Sequence, residues 1–178
     1  MKRRSVLKNL STVSIAIPTY LTVKEDPFFN QWKDQYLKRW HTGHEYSLKV
    51  LEAMPVDQFD FRPTISQMPF GQQFTHFSYW NQYYLSFISG ENPIDEPSSF
   101  DVETVREFTN AMHEKNTAAI ELVTPANLFS KEWTERPYWR DHSTMDFLTR
   151  AYMHTTHHRA QAIMYLRHNN VEPPSFMF

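Results

Sequence analysis

Three histidines fall within five positions near the end of the chain, in "AYMHTTHHRAQAIMYLRH", residues 151 to 168. Imidazole lone pairs bind divalent ions, so the spacing of these residues matters. On a helix, successive residues turn by about 100°. His154 and His158 therefore sit roughly 40° apart on one face, with Cβ atoms about 5–6 Å apart, which suits two ligands meeting one ion. Gln161 falls near the same face one turn later. His157 points to the other side of His154, so His154/His157 and His157/Gln161 pairings stay open on geometry alone. Thr155 follows His154, so the segment is not H-E-x-x-H and carries no built-in glutamate base.

Two ligands do not make a tight site, and a third must come from another helix. His76 is the best candidate, because it lies on an aromatic face where an uncompensated imidazole would be costly to bury. A buried histidine bonded to a hydroxyl or carbonyl is the structural reading of the same residue. His44 reads first as a satisfied core or pocket histidine, and only otherwise as a fourth ligand or a brace for the others. His41, His113, His142 and His168 read as surface residues. Arg159 reads as half of an ion pair with a carboxylate on another helix. Tyr79, Trp80 and Tyr83 read as core, or as the wall of a ligand cavity between helices.

These residues need a scaffold. The sequence has 178 residues, enough for one domain and a short extra segment. Hydrophobic residues make up 40%, so a sizeable core can form, and only three glycines argue against turn-rich all-β folds. The absence of cysteine excludes disulfides, thiol nucleophiles, cysteine–zinc sites and iron–sulfur clusters. A formal charge of −2, with no long basic run beyond the first four residues, gives nucleic acid binding little support. No stretch of 18 apolar residues is free of charge or proline, so a membrane span is not expected.

From residue 24 onward the periodicity predicts four helices, and so an all-α four-helix bundle. The first runs from about Pro27 to Met54, with Asp26 as cap, Pro27 at the first position, and a stripe of Trp32, Tyr36, Trp40, His44, Leu48 and Leu51. The second spans about Pro69 to Ser89 and closes at Gly90. The third runs from about Val102 to Val123 behind Asp101, with Val105, Phe108, Met112, Ala119 and Leu122 as its apolar positions. A long connection, residues 125 to 142, leads to the fourth, from Ser143 to about Asn169. Ser143 with Asp146 forms a near capping box.

On these elements the chain resembles the DinB/YfiT-like family of four-helix metalloproteins. "FDFRPTISQMPFGQQFTHFSYW", residues 59 to 80, resembles the family's approach to its second helix, with an Arg-Pro pair and then an inward metal-binding histidine, which maps onto His76. "HTTHHRAQAIMYLRHNNVEPP", residues 154 to 174, resembles the H-x-x-x-H-R-G-Q signature with its following Leu-Arg and terminal Pro-Pro. Its two ligands map onto His154 and His158, which settles the choice between His157 and His158. Ala160 stands where the signature usually has glycine. Asn169 and Asn170 replace the commoner glycine after the last helix, as asparagine can in a left-handed cap.

The resemblance implies one divalent ion, zinc or nickel first, with iron or manganese as other choices. An ion on three histidines with open positions suits hydrolysis by metal-activated water, and the resemblance adds transfer of a small thiol cofactor, in either case with a small-molecule substrate. A non-catalytic metal or small-ligand binding protein, and a homodimer joined through exposed helix faces, are rival readings. No carboxylate is visibly placed as a general base.

The first residues read as an address. "MKRRSVLKNLSTVSIAIPTYL" resembles a twin-arginine export signal: an arginine pair, a hydrophobic pair, a lysine, then an apolar stretch. Pro18 interrupts that stretch, and Ser14-Ile15-Ala16 is the nearest approach to a cleavage site. Residues 1–23 are expected to be this signal and residues 24–178 the bundle. The expected location is exported or periplasmic; a frayed basic end on a cytoplasmic protein is the other reading. Cleavage would remove four cations, Lys2, Arg3, Arg4 and Lys8, and take the formal charge from −2 to −6.

Overall fold

A computed structural model describes residues 26–131 and 139–178. The expected signal at residues 1–23 lies outside them. Four helices follow one another, α1 (Pro27–Ala53), α2 (Phe70–Ser89), α3 (Val102–Glu121) and α4 (Thr144–His168), with one 3₁₀ turn at Val56–Gln58. Among the described residues there is no strand, so the fold is the expected all-α four-helix bundle. No helix among them is long and apolar enough to cross a membrane.

The helix ends follow from local chemistry. The Asp26 side chain accepts from the backbone N–H groups of Phe28 and Phe29, with Pro27 in the first turn where its missing N–H costs nothing. Asp101 accepts from Thr104 N–H. Ser143 and Asp146 bond each other's backbone N–H in a full capping box. Gly90 takes a left-handed φ of 72° after α2, and Asn170 takes 56° after α4. α3 stops at Glu121, two residues before the expected end. Leu122 is therefore turned to solvent, 54% exposed, and Val123 takes the buried place at the end of that row.

α2 packs closely along both α3 and α4, whereas α1 lies against α3 and α4 more loosely. One end of the core is built on Val50, Leu51, Phe70, Phe74, Val105 and Leu166. The other is built on Trp40, Leu85, Ile120, Leu148 and Ala151. Phe74 is fully buried, and truncation of such a ring to alanine costs about 3–5 kcal/mol. The connection before α2 folds back so that Phe59 covers Gly71. A Cβ at Gly71 would stand 2.6 Å from Cε1 of that ring.

The loose seating of α1 leaves a cavity of about 20 Å³ between all four helices, roughly the space of one water. Trp40 Nε1, Asn81 Oδ1, Thr109 Oγ1 and Asn116 Oδ1 are buried on its lining without hydrogen-bond partners. Arg159 also lines it and corrects the expected ion pair. Among the described residues no carboxylate meets Arg159; it donates instead to Gly43 O (2.8 Å) and Ser47 Oγ (3.3 Å), its guanidinium resting over the Tyr46 ring.

Candidate metal centre

The close seam between α2 and α4 sets the site. His76 is in the middle of α2, and His154 and His158 lie one turn apart in the middle of α4. The ligating atoms of these three side chains all lie within 4.8 Å of one another. Ring centroids are 4.7 Å apart for His76–His158, 5.3 Å for His76–His154 and 4.5 Å for His154–His158. The three imidazoles singled out in the sequence are thus brought together.

His158 is held in one tautomer. Its Nδ1 donates to Gln73 Oε1 across 2.7 Å. Gln73 is 1% exposed, and its amide nitrogen donates in turn to Met68 O and the Tyr165 hydroxyl, each at 3.3 Å. With Nδ1 protonated, Nε2 of His158 presents its lone pair, and it lies 3.0 Å from His154 Nε2. Two ring nitrogens cannot face each other so closely with bare lone pairs; a proton or a cation must stand between them. In addition, Nδ1 of His154 is buried without a partner. This donor set fits a divalent ion.

Electrostatics favour the neutral, ligand-ready form. Burial, then the neighbouring His76, His157 and Arg150, bring His154 down to about 4. Burial, then His154, His76 and His157, bring His158 down to about 3. Burial also lowers His76. Glu96, from the connection after α2, places Oε1 3.8 Å from His76 Nδ1, and its Oε2 accepts from the Thr75 hydroxyl at 3.2 Å. Burial pushes the Glu96 carboxyl up.

The other residues named from the sequence sort as follows. Trp80 lines the groove beside the triad, its ring centroid 6.2 Å from that of His76. Tyr79 and Tyr83 stack edge-on against Trp80. Gln161 bonds His157 Nε2 at 2.7 Å, and His157 is exposed. His44 is placed away from the triad. Its Nε2 donates to Asn110 Oδ1 across 2.9 Å, and its ring stacks on His113, with centroids 3.8 Å apart.

His113 corrects the surface expectation. It is half-buried between His44 and Trp40, bonds His41 Nδ1 at 3.0 Å, and is lowered to about 3 by burial and then by His44 and His41. Sequence reasoning also missed Gln73, Glu96, Tyr84 and Arg150. Gln73 could have been found, because it lies three residues before His76 and shares its face. Glu96 could not, because a loop carries it.

A sequence model described as the DinB superfamily matches residues 39–162. No curated protein matches the chain. Among solved structures, a DinB-like protein from Bacillus subtilis superposes with a TM-score of 0.66 at 16% identity, covering 80% of this chain and 98% of its own. A DinB-like protein from Bacillus cereus gives 0.67 at 17% identity, covering 80% and 96%. At such identity these two likenesses establish the fold, and the sequence match establishes the family. This chain belongs to the DinB superfamily.

Proposed function

We propose that the protein is a metal-dependent hydrolase whose ion rests on His76, His154 and His158. The observation that carries the reading is the facing pair of Nε2 atoms, 3.0 Å apart, with His76 in reach of both. A divalent ion held there, zinc or nickel first and iron or manganese next, would lower the pKa of a coordinated water toward about 7 and polarise a carbonyl or phosphoryl oxygen.

The chain's own residues do the rest. Gln73 fixes the His158 ring so that Nε2 faces the site. Thr75 orients Glu96 through Oε2, leaving Oε1 beside His76. Glu96 beside Nδ1 of His76 is the carboxylate that braces that ring and raises its basicity toward the ion. Trp80 shields one flank of the site from water.

The test is turnover of an ester, amide and phosphoester panel by protein stripped of metal and then reloaded with zinc or nickel. The expected result is hydrolysis that appears on reloading and falls about 10–100-fold in Glu96→Gln. Full loading without turnover of any panel member would contradict the hydrolase reading.

A further inference from the structure

The triad opens into a groove of about 350 Å³ lined by His76, Trp80, Tyr84, Trp139, Arg150 and His154. That is a volume suited to a small molecule. Among the described residues, no carboxylate lines the groove. A second hollow continues from it along α4 past Met153 and His157.

Arg150 is held in an unusual way. Its guanidinium carbon lies 4.9 Å from the centroids of both Tyr84 and Trp139, and both rings are buried. These ring contacts lie at cation–π range and use none of its N–H groups as hydrogen-bond donors. They leave its edge, where the N–H fork points, without any hydrogen bond or ion pair among the described residues. Asp146 lies four residues earlier on α4, the spacing at which an ion pair would form. It is turned away to the helix cap, where Oδ2 accepts from Ser143 N and Ser143 Oγ, each at 2.8 Å.

The charge around the groove points the same way. Three neutral imidazoles leave an ion's full double charge uncompensated. Arg150 adds another positive charge on the same wall, and Glu96 beside His76, with Asp146 on the wall of the adjoining hollow, offsets only part of the sum. An arginine fork without a partner among the described residues, in a positive groove, matches a planar oxyanion.

We propose, resting on the metal-centre reading above, that this groove takes a small molecule bearing a carboxylate, gripped by Arg150 through paired N–H···O bonds. The apolar body of the ligand lies along Trp80, and its reactive end meets the triad.

Calorimetric titration of benzoate, benzamide and phenyl phosphate into zinc-loaded and metal-free protein tests this, using wild type, Arg150→Gln and Arg150→Lys with ion content measured in each. Benzoate should bind wild type at least about tenfold more tightly than benzamide, the low end for a charge-assisted pair. Arg150→Gln should remove that preference at unchanged ion content, and Arg150→Lys should restore part of it. A preference that survives Arg150→Gln would overturn the assignment of Arg150. Binding of phenyl phosphate without benzoate would overturn the carboxylate class. Failure of every variant to take up zinc would contradict the metal centre instead. An Arg150-dependent preference persisting in metal-free protein would then support the anion groove on its own.

Discussion

The ring of His158 donates from Nδ1 to Gln73 Oε1 across 2.7 Å, which joins α4 to α2 at the depth where the triad forms. The bond sets the tautomer and the aim of Nε2 together. Changing Gln73 to Leu removes the acceptor while leaving the volume nearly filled. Metal affinity should fall about 10–100-fold, read by competition with a chromogenic chelator, while helix content by circular dichroism stays unchanged. An unaltered affinity would mean that Gln73 only fills space.

The stacked pair of His113 and His44 makes stability depend on pH. His113 is lowered to about 3 in the folded chain, and burial lowers His44 too, against about 6.5 unfolded. The unfolded chain therefore binds more protons between these values. The stabilising contribution is complete above about pH 6.5 and is lost as pH falls toward 3. In metal-free protein the triad adds a loss of the same sign. Replacing His113 with Asn should flatten the fall in melting temperature between pH 6.5 and 4. An unchanged slope would refute this account of the α1–α3 contact.

Gly71 is needed because Phe59 lies over it. Gly71→Ala places a Cβ 2.6 Å from the Phe59 ring and 3.0 Å from the carbonyl oxygen of Phe100. The ring must shift out of a core where it is 4% exposed. Chemical denaturation should show a loss of about 1–3 kcal/mol, even though alanine is the better helix former. A stabilised variant would show that the loop over α2 yields freely.

Thr109 tests the cavity between the four helices. Its hydroxyl is buried without a partner, so Thr109→Val removes an unsatisfied group at nearly constant shape. The variant should be neutral or more stable by up to about 1 kcal/mol. A loss of 2 kcal/mol or more would mean that a bound water bridges Thr109 to its neighbours.

The sequence made the scaffold legible because its caps and stripes are local. Asp26, Asp101 and the Ser143–Asp146 box mark three helix starts, and Gly90 marks one end. A four-residue spacing made the pair on α4 a candidate and an aromatic face made His76 one, and the resemblance to the DinB/YfiT-like signature chose them over the open alternatives. What stayed hidden depends on how helices meet. His113 looks like a surface residue on α3 until α1 brings His44 and Trp40 against it. Glu96 reaches the triad from a loop with no periodicity to announce it. Arg159 meets no carboxylate among the described residues, because α1 offers a backbone carbonyl and a hydroxyl at close range instead.

Metal content tests the central claim most directly. The purified protein, supplied with zinc or nickel and then desalted, would be measured by elemental mass spectrometry beside a His154→Ala/His158→Ala variant. The account predicts about one ion per chain, lost in the variant while the helical spectrum persists. No ion in the wild type, or an equal ion content in the variant, would contradict it.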